Sequence, residues 1–290
     1  MSGAAAHEPP GAATGAPRAG GPAARLRGAW FPLLLFAALA VALCFLALPV
    51  LAIFLDTGPA RLVASLGDPS SREALRLSLI TTTIAVGIVV AVGTPAAYLL
   101  ATRRFRGREL VVTVLELPLV LPPAVAGIGL LAALGPQGIL GGLLDDLGIR
   151  LVLETAGVVV ALVFVSAPFH LRAAQSAFAA VDRRWLEASR TLGAGEARTF
   201  ARVAVPAALP GLAAGVALAW GRALGEFGAT LMFAGSFRGI TQTVPLAIYD
   251  RFATDFDGAL ALSAVLVVVS AALLLSVKLL ARDHGADALR

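Results

Sequence analysis

The sequence predicts an all-α membrane protein with six transmembrane helices, and three observations lead to that prediction. Hydrophobic residues make up 58% of the 290 residues and charged residues only 14%, against roughly a quarter in soluble globular proteins. A soluble fold of this length cannot hide so much apolar surface from water. The apolar residues fall in long runs with few charges, and arginines cluster in every second connection between those runs.

Six apolar runs are long enough to be spans, since about 20 apolar residues cross the hydrocarbon core as a helix. The first is too long for the core of a signal peptide, so we expect it to remain in the membrane. The predicted spans are residues 28–55, 77–102, 110–134, 155–171, 203–234 and 258–277.

Both ends of the chain are predicted to be cytoplasmic. With the N-terminus inside, sixteen of the 22 lysines and arginines outside the spans fall in cytoplasmic segments, which is the bias that membrane proteins show. Residues 1–27, rich in Ala, Gly and Pro, are expected to be a disordered cytoplasmic tail. A transmembrane domain of residues 28–282 follows, and residues 283–290 form a second cytoplasmic tail.

The longest predicted cytoplasmic connection, residues 172–206, differs from the others. Trp185 and Leu192 punctuate a charged stretch, which is typical of short amphipathic helices. Gly193 and Gly195 predict a turn between two helical pieces. Composition leaves two interpretations open: a helix lying on the lipid surface, or a docking element for a cytoplasmic partner.

Two ionisable residues stand inside the fifth predicted span. Arg222 and Glu226 are four positions apart, so they are expected to lie on one helix face and to pair. An unpaired charge at mid-bilayer costs on the order of 3 kcal/mol, so each needs a partner or an aqueous path. One interpretation is that the pair stabilises helix packing. The other is that Arg222 lines a translocation path together with Thr230, which lies one helical turn beyond Glu226. The sequence leaves both interpretations open.

Small residues recur at every fourth position of the same span. Gly221, Gly225 and Ala229 form one row, and Gly211 with Gly215 forms another. Such rows let helix backbones approach closely in lipid. Packing within the chain and packing against another molecule are both consistent with them.

Glu116 is the acidic residue of the third predicted span, and Pro118, Pro122 and Pro123 follow it closely. A proline-broken helix is tolerated in a membrane where the freed carbonyls face protein or a water-filled cavity. The segment is therefore either part of a gate or a kink in which Glu116 pairs with an arginine of residues 103–108.

The sequence offers no constellation for catalysis or metal binding. Cys44 is the single cysteine, and the three histidines are scattered; we expect Cys44 and His170 to be packing residues. There is no G-x-x-x-x-G-K-S/T loop to hold ATP phosphates, and Lys278 is the only lysine. The cations follow membrane orientation, so the charge of +5 does not predict a nucleic-acid partner. We predict neither a catalytic site nor a cofactor in this chain.

The spacing in residues 172–206 resembles the EAA loop of permease subunits in bacterial ABC importers, which reads E-A-A, three residues, G, nine residues, I-x-L-P. The matching residues are Glu187, Ala188, Ser189, Gly193, Val203, Val205 and Pro206. Ser189 replaces the second alanine, and valines replace Ile and Leu. In that family the loop forms a coupling helix that docks on the ATPase subunit. Pro206 and Pro210 are expected in the first turn of the next span, where a missing amide donor costs least.

A second resemblance is to molybdate permeases. It rests on residues 221–230, 233–235 and 241–249 in the fifth-span region and on residues 116–123 in the third span. Related sulfate permeases have tyrosine and serine where Phe227 and Ala229–Thr230 stand here. Residues 236–239 depart from the usual molybdate pattern.

The resemblance implies a type I ABC importer permease (MetI-like) fold in the bacterial cytoplasmic membrane. It also implies three partners: an ATPase dimer that uses the ATP, an extracytoplasmic binding protein, and a second copy of the chain. The implied cargo is a tetrahedral oxyanion, molybdate or tungstate. The alternatives are sulfate or thiosulfate, and a secondary transporter that uses Arg222 or Glu226 for ion coupling, although the latter does not explain the 187–206 spacing.

Overall fold

The computed structural model describes residues 22–287, and within that range the chain is all-helical, without strands. The α-helices are α1 Pro22–Asp56, α2 Pro59–Gly67, α3 Pro69–Thr102, α4 Arg108–Val120, α5 Pro123–Leu134, α6 Gly141–Asp146, α7 Thr155–Ala179, α8 Arg183–Thr191, α9 Glu196–Thr199, α10 Val205–Leu224, α11 Gly228–Ala234, α12 Val244–Phe252 and α13 Phe256–Asp287. A π-helical segment, Phe200–Ala204, joins α9 to α10.

Residues 22–27 of the first predicted tail and 283–287 of the second are helical. The helix α1 already begins at Pro22, and α13 continues to Asp287. Residues 1–21 of the first predicted tail and 288–290 of the second lie outside the described residues.

The chain divides into two compact units, Met1–Ala52 and Ile53–Arg290. In the first unit, the described residues form most of α1, which has Pro32 and Pro49 in its interior. Its Phe31–Asp56 part has a mean hydropathy of 2.8 and is long enough to cross a membrane.

Residues 22–287 contain six candidate spans, by length and apolarity, when a bent pair of helices counts as one. Single helices of sufficient length and apolarity are Phe31–Asp56, Pro69–Thr102, Thr155–Ala179, Glu196–Leu224 and Phe256–Val277, and the bent pair is α4 with α5. This agrees with the six spans predicted from the sequence.

In the second unit, α7 packs between α3 and α10, and small residues make this possible. The fully buried residues include Ala85 on α3, Ala161 and Ala174 on α7, and Ala219 on α10. Alanine lets helix backbones come close together, and in lipid this close packing is what drives helix association. The buried hydroxyls of Thr82 and Ser166 donate to backbone carbonyls one turn earlier, so they cost little in an apolar interior.

The helix α7 is longer than the apolar run that predicted it. The sequence indicated an end near Leu171, but α7 continues to Ala179. A Cβ built on Gly215 of α10 would lie 2.9 Å from Cβ of Ala173, and one on Gly211 would overlap Cβ of Ala177. Close packing against α10 therefore supports the extension, which places the first residues of the 172–206 connection inside a packed helix.

The third predicted span is broken at its prolines, as the sequence suggested. The axes of α4 and α5 differ in direction by 119°. Leu121 and Pro122 are extended, with ψ of 130° and 136°, and Pro123 opens α5 without needing an amide donor.

The fifth predicted span, by contrast, was wrongly predicted to be continuous from 203 to 234. The helix α10 ends at Leu224, and α11 begins at Gly228. Glu226 lies in the gap, where its carboxylate accepts a hydrogen bond from the backbone N–H of Ala229 at 2.7 Å. An acidic side chain that satisfies a free amide at the start of α11 stabilises a new helix start, so the break needs no proline.

Pro206 lies in the first turn of α10, as predicted, although the helical segment Glu196–Leu224 runs without interruption through it. The π-helical turn precedes Pro206 directly, and the Val205 N–H donates to the carbonyl of Phe200. A proline ring clashes with the carbonyl four residues earlier in an α-helix, and the wider π turn relieves that clash. Pro210 lies in the interior of α10.

Candidate functional site

The resemblance to a coupling loop falls on α8, which stands at the end of the bundle where α3 ends and α10 begins. We call this the α8 end. Asp182 caps α8 by accepting from the Arg184 N–H at 2.9 Å. Leu186 is only 7% exposed and packs with Phe178 of α7 and Ala208 of α10. The helix is therefore anchored to two spans through one side chain.

Two large apolar side chains on and after α8 remain exposed. Trp185 is 58% exposed and Leu192 is 88% exposed, whereas Leu186 between them is buried. Glu187 and Ala188 are also exposed. The helix α8 thus presents a mixed apolar and charged surface away from the bundle, in which Arg183, Arg184 and Arg190 outnumber Glu187.

The turn after α8 requires Gly193, as its place in the motif suggested. Its φ of +82° is a left-handed conformation that side chains disfavour, and no atom would meet its Cβ. Ser189 forms a 3.0 Å hydrogen bond with the buried Thr199, so the serine in the position of the motif's second alanine links α8 to α9. Glu196 of α9 pairs with Arg103 after α3.

The two broken spans meet inside the second unit. A Cβ built on Gly228, at the start of α11, would lie 2.9 Å from Cβ of Pro123, at the start of α5. One on Gly127 would lie 2.7 Å from the carbonyl oxygen of Ala229. The segment around Pro122 and Pro123, for which the sequence suggested a role in a gate, therefore packs directly against the break between α10 and α11.

Arg222 and Glu226 form an ion pair at this break, with 2.5 Å between Nη2 and Oε2. They do not share one helix face as expected, because α10 ends between them. Glu226 is 1% exposed, whereas Arg222 is 27% exposed. The carboxylate thus holds the arginine and the start of α11, and the guanidinium is the part of the pair that is accessible from outside the chain.

Thr230 is fully buried in α11, and its hydroxyl has no hydrogen-bond partner among the described residues. The break at Gly225–Phe227 interrupts the helix, so Thr230 does not continue the helix face of Arg222 as expected. In a single copy of the chain, Thr230 is therefore inaccessible from the surface.

The two glycine rows have different surroundings. Gly211 and Gly215 pack against α7, but within the described part of the chain no atom outside the neighbouring backbone would lie within 4 Å of a Cβ on Gly221. Gly225 has only the carbonyl of Gly221 nearby, at 3.7 Å. Ala229, the third member predicted for that row, is buried against α5.

Glu116 pairs with Arg172 of α7 at 3.1 Å, not with an arginine of residues 103–108 as the sequence suggested. The extension of α7 beyond Leu171 brings Arg172 to this position. Pro118 lies within α4. The pair connects the first half of the bent span to the central helix.

A polar network at the opposite end of the bundle has no counterpart in the sequence prediction. Arg251 of α12 pairs with Asp68, the cap of α3, and donates to Ser71 at 3.0 Å. The hydrogen bond from Ser70 and the guanidinium of Arg251 hold the pKa of the Asp68 carboxyl well below its usual range. The D-P-S-S sequence at 68–71 signals the cap, but only the fold brings Arg251 to it.

His170 packs within the bundle, as expected. It is fully buried, its Nε2 lies 3.0 Å from the Thr94 hydroxyl, and its ring lies close to Gly93 and Gly215. Among the described residues, no three His, Cys, Asp or Glu side chains come together to hold a metal ion.

Comparison with known proteins places the chain in a family. The family described as binding-protein-dependent transport system inner membrane component matches residues 93–283. The molybdenum transport system permease protein ModB of Mycobacterium tuberculosis is 42% identical over 233 residues, which is 80% of this chain and 88% of that protein. The molybdate/tungstate transport system permease protein WtpB of Pyrococcus abyssi is 38% identical, over 70% of this chain and 78% of its own length.

Solved structures share the fold at low identity. A bacterial ABC transporter involved in import of the polysaccharide alginate matches with a TM-score of 0.72 at 17% identity, over 89% of this chain and 96% of its own. The MetNI methionine ABC transporter matches with a TM-score of 0.58 at 18% identity, over 73% and 94%. The fold is thus that of type I ABC importer permeases, and the chain belongs to the family of inner membrane components of binding-protein-dependent transport systems.

Proposed function

We propose that this chain is the permease through which an ATP-driven importer moves a tetrahedral oxyanion, most specifically molybdate or tungstate. Relatives that it matches over most of its length are named as molybdenum, molybdate or tungstate permeases. A separate ATPase subunit hydrolyses the ATP, and an extracytoplasmic binding protein delivers the anion.

The observation that carries this proposal is the accessible arginine at the meeting point of two broken spans. Discontinuous helices are a recurring way to build substrate sites in membrane transporters, because their ends offer free backbone groups and dipoles. Arg222 adds a fixed positive charge, and the buried Glu226 holds it in place. An anion that passes this point can replace part of its hydration shell with contacts to the Arg222 guanidinium. The Glu226 carboxylate does not repel it strongly, because that carboxylate is buried and paired with Arg222.

The path lies between two copies of the chain. On α10, the exposed residues follow one another at helical spacing and form a stripe: Pro206, Pro210, Ala214, Leu218, Gly221 and Gly225. The open side of Gly221 and Gly225 lets a second backbone approach closely. In this arrangement, Arg222 of each copy lines the path beside the contact.

The α8 end is cytoplasmic, and the ATPase docks there. The arginine distribution supports this orientation, since most loop and tail cations fall on that side. The exposed Trp185, Leu192 and Glu187 supply an apolar anchor with a charged rim. Leu186 transmits movement of α8 to α7 and α10. The helix α10 carries that movement to Arg222, which lies near its end.

The test reconstitutes this permease with its own ATPase and binding protein, and it compares ATP hydrolysis when the binding protein is loaded with molybdate, tungstate or sulfate. Coulomb attraction to Arg222 scarcely separates these dianions, so selectivity resides mainly in the binding protein. We expect molybdate and tungstate to stimulate hydrolysis and sulfate not to do so. Stimulation by sulfate alone would show that the transported ion is sulfate. If none of the three ions stimulated hydrolysis, the proposal would be wrong.

Orientation has its own test in a Cys44→Ser background. Gly142→Cys lies in the predicted outer connection, in open space, and Ser176→Cys lies on the exposed side of α7. An impermeant thiol reagent added outside intact cells should label residue 142 only. Labelling of residue 176 instead would invert the topology.

A further inference from the structure

A cavity of about 800 Å³ at the α8 end is lined by arginines from two parts of the chain. Arg103 and Arg104 come from the connection between α3 and α4, Arg108 is the first residue of α4, and Arg183 comes from the first turn of α8. Glu109 is the only acidic residue among the lining residues. Four guanidinium groups against one carboxylate make the cavity a site for an anion.

Two of these arginines are already paired and two are not. Arg103 pairs with Glu196, and Arg108 pairs with Glu109 at 2.7 Å and also donates to the Leu100 carbonyl. Arg104 and Arg183 make no ion pair with any described residue. The paired arginines hold the walls of the cavity, and the unpaired ones supply the charge that a ligand would meet.

The cavity lies at the membrane boundary. Its walls include the last turn of α3, which is a candidate span, and the start of α4, which is the first half of the bent pair. Exposed apolar side chains stand next to the arginines: Phe105 is 42% exposed and Leu110 is 69% exposed. Cationic groups beside exposed apolar surface at this depth match a molecule with a phosphate head and an acyl tail.

We propose that this cavity binds the phosphate headgroup of an anionic membrane phospholipid. The headgroup lies between Arg104 and Arg183, and the acyl chains run beside Phe105 and Leu110. Because Arg183 belongs to α8 and Arg104 to the α3–α4 connection, one bound lipid links the coupling helix to the membrane-spanning helices. The lipid thereby stiffens the region through which α8 acts on the bundle.

The test measures lipid retained by the full-length chain, so it does not depend on the identity of the transported ion. The wild type, R104Q/R183Q and the matched control R190Q/R198Q are purified from phosphatidylcholine nanodiscs containing 20% phosphatidylglycerol. Native mass spectrometry then counts the bound phosphatidylglycerol. The loss of two arginines should lower retention by about thirtyfold in R104Q/R183Q and little in the control, which removes equal charge from the same end of the bundle.

Further arms separate the other occupants. R104K/R183K preserves the charge and should retain the lipid, which keeps the test valid if the glutamine variant fails to fold. Displacement of the lipid by millimolar inorganic phosphate would assign the site to a soluble anion. Loss of the lipid when the ATPase binds would assign it to a protein side chain. Equal losses in R104Q/R183Q and R190Q/R198Q would show that retention depends on the total surface charge and not on this cavity. Each of these three results would overturn the proposal.

Discussion

The two glycine rows of α10 share one sequence pattern but have opposite surroundings. Gly211 and Gly215 face α7 so closely that added methyl groups would meet Ala177 and Ala173. One to two turns further along the same helix, Gly221 has open space around its Cβ position. The pattern therefore shows that backbones approach closely, and only the fold shows whether the partner is the same chain or another molecule.

The largest expected effect comes from filling the packed row. Gly215→Leu forces a side chain into the space of Ala173 and the His170 ring, where even a Cβ would lie within 3.0 Å, and overpacking of this kind costs about 3 kcal/mol. Gly221→Leu is the matched control, and its free energy of unfolding should change by less than about 0.5 kcal/mol. Thermal unfolding in detergent measures both.

The same two variants then separate folding from function. We expect Gly221→Leu to be folded but inactive in reconstituted transport, because a leucine keeps the second copy away. Normal transport by Gly221→Leu would show that the open row contacts lipid alone. Equal instability of both variants would show that the rows do not differ as described.

The next effect concerns charge at the end of the same helix. Arg222→Gln leaves the Glu226 carboxylate buried without its partner, which typically costs about 3 kcal/mol or more. Arg222→Gln/Glu226→Gln removes both charges and should regain most of the stability but not the transport. If the double variant transports normally, the pair serves packing only and Arg222 has no role in the path.

A smaller effect distinguishes two glycines beyond α8. Gly193 has a φ of +82° and Gly195 a φ of −66°, and both have open space at the Cβ position. Gly193→Ala should cost about 1–2 kcal/mol locally and weaken binding of the ATPase subunit, and Gly195→Ala should do neither. Co-purification of the ATPase measures this; equal behaviour of the two variants would remove the backbone explanation.

The smallest effect is expected from the ion pair between Asp68 and Arg251, whose carboxylate is more exposed than that of Glu226. Asp68 has a lowered pKa, so its contribution to stability is complete above the ordinary aspartate value of about 3.9 and is lost as the pH falls through the lower native value. Unfolding temperatures of the wild type and Asp68→Asn should differ by the same small amount at pH 5 and pH 7. A difference that disappears between pH 7 and pH 5 would contradict this assignment.

The sequence was sufficient for features with a local physical cause. Apolar length predicted the six spans, prolines predicted the break between α4 and α5, and the glycines predicted the turn after α8. The break at Gly225–Phe227 was missed because it depends on a hydrogen bond from the Ala229 amide to Glu226. The partner of Glu116 was missed because hydropathy ended α7 at Leu171, whereas packing of Ala173 and Ala177 on α10 carries the helix past Arg172.

The most direct test of the central claim, that the open stripe of α10 faces a second copy beside Arg222, is cysteine cross-linking in native membranes. In a Cys44→Ser background, Gly221→Cys is exposed, and Ala219→Cys, on the fully buried side of the same helix, is the matched control. Mild oxidation should give a covalent dimer with Gly221→Cys, and Ala219→Cys should remain monomeric. A monomer with Gly221→Cys in a transport-competent complex would contradict the account.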